Sequence, residues 1–266
     1  MTEPVLVERD GHVETWTLNR PDLRNPISDL DMIDALVECA DRANHDRGLR
    51  AVVLTGAGTA FSAGANLNQV RSEEVPFGGP LAHARDGYRH GIQRIPLALH
   101  ACEVPLIAAV NGPAVGAGFD LTLMCDVRIA SETATFAESF VRVGLIPGDG
   151  GAWLLPRVIG TARATEMTLT GAPIDAATAL AWGLVSRVLP ADDLLATAHE
   201  IAAGIAANPP TTVRMAKRLL REQGHQSLSS HLELAAALQP LAQRSADHVE
   251  AVEALLGKRS PSFSGE

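Results

Sequence analysis

Asp120 stands three residues after Ala117 in the stretch Asn111-Gly112-Pro113-Ala114-Val115-Gly116-Ala117-Gly118-Phe119-Asp120. On a helix that spacing puts the two on one face, one turn apart. A carboxylate so placed can move a proton on a ligand whose carbonyl oxygen rests on the Ala117 N–H. An ordinary first-turn acid, favoured by the helix dipole, fits the same spacing, and the residues alone leave both readings open. A second small-residue segment, Ala60-Phe61-Ser62-Ala63-Gly64-Ala65-Asn66-Leu67, has the same setting. The two segments follow apolar β-like runs, Pro105–Val110 and Arg50–Thr55 respectively. Small residues let a ligand approach the backbone closely. Each segment, if it opens a helix, also presents unpaired N–H groups and the positive end of a helix dipole. Two such ends aimed at one point bind a developing oxyanion.

Other polar residues carry weaker signals. Asp149 lies in Leu145-Ile146-Pro147-Gly148-Asp149-Gly150-Gly151 and, taken alone, reads first as a turn-stabilising residue. Glu138 reads as a solvated loop acid. Arg24, in the polar loop Asn19–Pro26, suits either a phosphate or a surface ion pair. Among the nine histidines there is no HExxH helix and no Cys/His cluster, and no CxxC pair occurs, so no metal is expected. There is no GxxxxGK[ST] phosphate loop and no GxSxG nucleophile elbow. Gly56 and Gly58 are followed by Phe61, and Gly116 and Gly118 by Leu121, where a dinucleotide fingerprint needs a third glycine. No nicotinamide or flavin cofactor is expected either.

The elements that must position these residues alternate between strand and helix patterns up to about residue 190, and helices dominate beyond it. Val5–Glu8 and Val13–Leu18 flank Asp10-Gly11, a hairpin signal. Ser28 reads as the N-cap of a helix over Asp29–Asn44, with Ile33, Leu36, Val37, Ala40 and Ala43 as its apolar stripe. Glu73–Gly79 is loop-like, and one helix is expected over Leu81–Ala101. A short buried helix through Leu121–Met124 follows the second small-residue segment, then strands at Asp126–Ala130 and Ala134–Ala137. From Thr161 the chain reads as helical apart from Leu184–Leu189, ending in one long helix over Leu228–Leu256. This pattern predicts an α/β core, residues 1–195, and a helical C-terminal region, residues 196–266.

Composition narrows the class. The 266 residues are 46% hydrophobic and 20% charged, the balance of an ordinary globular protein. No apolar run reaches the roughly 20 residues of a membrane span, and Met1-Thr2-Glu3-Pro4 lacks a signal-peptide pattern. The expectation is a cytoplasmic protein without a membrane partner. A net charge of −9 and the lack of an aromatic-basic stripe argue against nucleic acid as a partner. An anionic substrate must then meet a local basic cluster. Cys39, Cys102 and Cys125 are widely spaced in apolar surroundings and read as buried, inert thiols.

The order of motifs resembles the enoyl-CoA hydratase/isomerase (crotonase) superfamily. Leu18-Asn19-Arg20-Pro21, Phe61–Leu67 and Asn111–Gly118 are similar to its successive motifs. Cys125–Ala130, Gly144–Pro147, Leu155–Gly160, Leu169–Gly171 and Ala181–Val185 continue the series in the family's order. The likeness runs from about residue 5 to 220. It implies a spiral of ββα units whose helical C-terminal region supports a homotrimer or a dimer of trimers. It also implies an acyl-CoA thioester substrate, with coenzyme A as part of it and no separate cofactor. The thioester oxygen would be held by the N–H groups of Ala65 and Ala117, which stabilise an enolate. Ala63, Gly64, Leu67 and Gly116 would line the acyl-CoA site, with Arg24 near the phosphates.

The acids depart from the family pattern. Family hydratases carry one glutamate at the position of Asp120 and another at that of Phe140. A phenyl ring is neither acid nor base, which favours double-bond isomerisation over two-glutamate hydration. Asp120 is then the principal proton carrier and Asp149 the second catalytic acid. A catalytically weak acyl-CoA-binding member is the alternative. Asn66 replaces the family's usual Asp, a minor change.

Overall fold

The computed structural model of the chain describes residues 3–71, 80–224 and 226–266. The chain opens with β1 (Val5–Asp10), β2 (Val13–Leu18), α1 (Leu30–His45), β3 (Ala51–Gly56), α2 (Leu67–Arg71), α3 (Leu81–His90) and α4 (Arg94–Ala101). It continues through β4 (Leu106–Val110), β5 (Ala114–Val115), α5 (Ala117–Leu123), β6 (Val127–Ser131), β7 (Thr135–Ala137), α6 (Gly151–Ile159) and α7 (Thr161–Thr170). Then follow β8 (Ile174–Asp175), α8 (Ala176–Ala181), β9 (Arg187–Leu189), α9 (Leu194–Ala206), α10 (Pro210–Glu222), α11 (Leu228–Gln243) and α12 (Ala246–Leu256).

The larger sheet has the order β1-β2-β3-β4-β6-β9, antiparallel at β1–β2 and parallel elsewhere. Every residue of β3 and β4 is buried, as a parallel sheet covered on both faces requires. Alternate side chains serve opposite faces. Val52, Leu54, Leu106 and Ala108 join the main core with α1 and Trp16. Ala51, Val53, Ile107 and Ala109 pack instead against Leu194, Ala198 and Ala202 of α9. A smaller sheet, β5-β7-β8, stands at the end of the β4 crossover, with β5–β7 parallel and β7–β8 antiparallel. Its strand β5 lies inside the second small-residue corner, and Ala114 forms a parallel bridge with Ser62 of the first.

Several expectations are corrected. The residues expected as one helix over Leu81–Ala101 form α3 and α4, because the chain leaves helical geometry at Gly91 and restarts with Pro96 in the first turn of α4. The long C-terminal helix is likewise two, since the Ser245 side chain caps α12 by accepting from the His248 N–H at 3.1 Å. Asp29, not Ser28, is the N-cap of α1, and the Ser28 hydroxyl accepts from the Asn66 N–H at 3.0 Å. The two-residue strands β5 and β8 were too short for a periodic signal. Expected loop Glu73–Gly79 lies outside the described residues.

The expected division at residue 195 falls inside α9, whose buried face belongs to the core sheet. Helix α10 is strapped to the same core. Arg214 donates to the Asp46 carbonyl at 2.8 Å, and Lys217 pairs with Asp126 at 2.6 Å. The extension proper is α11 and α12. Helix α11 buries none of its residues, and Leu228, Leu232 and Leu241 stand exposed. Among the described residues, no helix is long and apolar enough to cross a membrane. All three cysteines are buried and free, and burial pushes Cys39 to about 11 and Cys125 to about 12.

Candidate active site

The two small-residue corners are bonded to each other by backbone. Phe61 and Ser62 N–H donate to the Pro113 carbonyl at 3.1 and 3.2 Å, and Val115 N–H returns a bond to the Ser62 carbonyl at 3.0 Å. Gly64 and Gly116, each directly before an alanine of interest, have φ of +83° and +53°. L side chains rarely adopt that region, so glycine is what lets each corner turn. A Cβ on Gly64 would lie 2.4 Å from the Val115 carbonyl oxygen and 3.2 Å from the Ala117 nitrogen. The Ala65 corner therefore lies directly against the start of α5. Neither the Ala65 nor the Ala117 N–H has a hydrogen-bond partner among the described residues. Ala117 is the first residue of α5, where N–H groups lack intrahelical acceptors. Gly118 lets α5 sit this close, since a Cβ there would be 2.5 Å from the Ser62 carbonyl oxygen.

The early loop closes over the first corner. Arg24 and Asn25 are in the left-handed region, with φ of +60° and +55°. The Ala63 N–H donates to the Arg24 carbonyl at 2.8 Å, and the Ile27 N–H to that of Gly64 at 2.8 Å. The buried Asn25 side chain donates to the Ala57 and Ala60 carbonyls, both at 2.9 Å. Arg24, Ala63, Gly64, Ala65 and Leu67 thus stand together at one rim, with Arg24 and Leu67 exposed. Phe140 stands at the other corner. Its ring would be 3.7 Å from a Cβ on Gly116.

Asp120 is fully buried, and its Oδ2 accepts from the Gly151 N–H at 3.0 Å. Two more acids share the pocket. Asp149 is 3% exposed and Glu138 is 0% exposed. The burial of Glu138 corrects the sequence reading, in which it is a solvated loop acid. Burial raises all three carboxyls, Glu138 to about 7 and Asp149 to about 6. Asp120 is held well above the carboxylate range, first by burial and then by the charges of Glu138 and Asp149. Asp149 also borders a cavity of about 750 Å³ between α4, α6 and α10, lined by Leu97, Met124, Trp153 and Leu154. Neither Ala65 nor Ala117 is among the residues that line it.

Glu138 is the residue after β7, two positions beyond the buried Phe136, and three strand residues are too few for a period to signal its burial in the sequence. The Gly116 N–H bonds the Ala137 carbonyl at 2.8 Å, which ties the end of β7 to the N-cap of α5.

A parallel-sheet spiral with two backbone corners converging at the start of a buried helix defines the crotonase fold. This chain belongs to the enoyl-CoA hydratase/isomerase family, whose sequence model matches residues 8–266. It is 37% identical over 266 residues to the 1,2-epoxyphenylacetyl-CoA isomerase of Escherichia coli, with both chains covered in full. It is 36% identical over 261 residues to the 2,3-dehydroadipyl-CoA hydratase of the same organism, covering 98% of each. The crystal structure of an enoyl-CoA hydratase from Bacillus anthracis superposes with a TM-score of 0.92 at 34% identity, covering 99% of this chain and 100% of that one. The protein is an acyl-CoA enzyme of the hydratase/isomerase type.

Proposed function

We infer that the enzyme moves a double bond along an unsaturated acyl-CoA through an oxyanion-stabilised enolate. One observation carries the reading: a buried carboxylate, Asp120, stands one turn from the Ala117 N–H, while the Phe140 ring, and not a second acid, stands beside Gly116 at the same corner. The thioester oxygen accepts from the Ala65 and Ala117 N–H groups. As negative charge grows on that oxygen, each donor strengthens, and one such donor is worth about 3 kcal/mol. A 3-enoyl thioester then loses a proton from its α-carbon to Asp120, giving a dienolate. Asp120 returns the proton to the γ-carbon, and the double bond comes to rest in conjugation with the carbonyl. Nothing is added or removed, so no co-reactant is required. Asp149 serves as the second acid, able to hold the proton when Asp120 does not. Hydration, by contrast, needs water activated and a proton delivered across the double bond, and Phe140 can do neither.

Ala63, Gly64, Leu67 and Gly116 line the thioester and pantetheine path in this reading, Phe140 packs on the acyl side, and Arg24 meets a phosphate of coenzyme A. No separate cofactor takes part. The exposed leucines of α11 support assembly into a trimer or a dimer of trimers, checked by mass from light scattering. The reaction itself is tested by incubating the protein with a 3-enoyl-CoA and with crotonyl-CoA and identifying products. Conversion of the first to the 2-enoyl thioester, with little hydration of the second, is the expected result. Rapid hydration of crotonyl-CoA overturns the isomerase reading, and binding of both without conversion favours an acyl-CoA-binding role.

A further inference from the structure

We propose that Glu138 is a positioning residue that shares a proton with Asp120, so that the pair meets the substrate carrying one proton between two carboxyls. This rests on Asp120 being the proton carrier of the reaction above. Glu138 is fully buried, and among the described residues neither of its carboxyl oxygens has a hydrogen-bond partner; Asp120 Oδ1 lacks one as well. A buried carboxylate without a donor is costly. The two side chains are held close enough for a single remedy. A Cβ on Gly151 would lie 2.2 Å from Asp120 Oδ1 and 2.3 Å from Glu138 Oε1. The absent side chain of Gly151 is thus what allows the two oxygens to face each other. One proton between them gives both a partner at once.

The surroundings leave a proton as the neutralising charge. From α5 the facing group is Asp120, from the loop before α6 it is Asp149, and Tyr88 of α3 faces Asp149 in turn. Among the described residues, no Lys, Arg or His stands among the groups that shift the three acids. The Gly151 N–H supplies one donor, and it goes to Asp120 Oδ2. Glu138 itself is delivered by β7, whose pairing with β5 is continued by the Gly116 N–H bond to Ala137. Glu138 is the first residue past β7, so its backbone directly follows this bonded sheet end. The raised position of Glu138, about 7, agrees with a proton exchanged in the neutral range. A carrier that must both take and return a proton works best there.

The test uses Glu138→Gln, which keeps the shape and offers Asp120 a permanent N–H donor. Folded carboxyls raised above their unfolded values stabilise the protein fully below about pH 4, and that stability is lost as pH rises through about 7. The wild-type unfolding midpoint should therefore fall across this window, and the Glu138→Gln midpoint should fall less. With 3-enoyl-CoA, the acid limb of kcat/KM should move down by about one pH unit or more in Glu138→Gln, because the neutral amide no longer opposes the Asp120 carboxylate. Parallel stability curves together with an unmoved acid limb overturn the proposal, whatever the change in absolute stability. The wild type alone supplies a check if the variant does not fold. Its infrared spectrum should retain a protonated-carboxyl band at about pH 6, where free carboxyls are ionised, and absence of the band contradicts the shared proton. If the stability curve flattens while no variant turns over 3-enoyl-CoA, the shared proton stands and the isomerase reading fails.

Discussion

The side chain that Gly64 lacks would occupy the space beside the Ala117 nitrogen, 3.2 Å from it and 2.4 Å from the Val115 carbonyl oxygen. Two corners more than fifty residues apart in the sequence therefore share one patch of empty space. Gly64→Ala should lose both the positive φ and that space. We expect a stability loss of about 2 kcal/mol or more in denaturant titration. Turnover should fall by about a hundredfold, the effect of losing one oxyanion donor. An active, undiminished Gly64→Ala would place the thioester elsewhere.

Phe140→Glu should add a second carboxyl beside Gly116, at the start of the helix that carries Asp120. Its expected effect is a gain of hydration of crotonyl-CoA, read from consumption of the enoyl chromophore, with isomerisation reduced or unchanged. No gain would mean that the position alone does not separate the two reactions in this fold.

The pH profile of kcat/KM should carry the mark of the buried acids. Asp149 and Glu138 stand at about 6 and about 7, above the ordinary carboxylate value of about 4. Asp120, the proton acceptor, is itself held well above that ordinary value by burial and by these two acids, and it must be ionised to act, so activity should fall with dropping pH well before about pH 4 is reached. An acid limb near pH 4 would show that the accepting group is an ordinary exposed carboxyl.

Arg24 contributes through charge at an exposed rim, so its removal should be mild and salt-sensitive. Arg24→Ala is expected to raise KM for an acyl-CoA by about two- to fivefold at low salt while leaving kcat in place. The difference should shrink as ionic strength rises. A fall in kcat instead would tie the loop to the oxyanion corner and not to a phosphate.

Local pattern made part of this fold legible. Ile33, Leu36, Ala40 and Ala43 are all buried on α1, and β2 alternates with Trp16 and Leu18 inward. The two small-residue corners could be read because strand, glycine and helix start are neighbours in sequence. Glu138 could not, because its burial depends on β5 pairing with β7, two short strands that carry no periodicity of their own. The breaks at Gly91 and Ser245 fall in short polar stretches, Arg89–Gln93 and Gln243–His248, that read as the polar turns of a continuing helix. Phe140 drew attention only through the resemblance, since nothing in its own neighbourhood distinguishes it from an ordinary core aromatic.

The most direct test of the account is Asp120→Asn, an exchange that keeps shape and burial while removing the group that takes the proton. Affinity for a non-reacting acyl-CoA analogue, measured by calorimetry, should stay within about threefold of wild type. Conversion of 3-enoyl-CoA should drop by about a hundredfold or more. Unchanged turnover in Asp120→Asn with binding intact would contradict the assignment of Asp120 as the proton carrier, and with it the proposed mechanism.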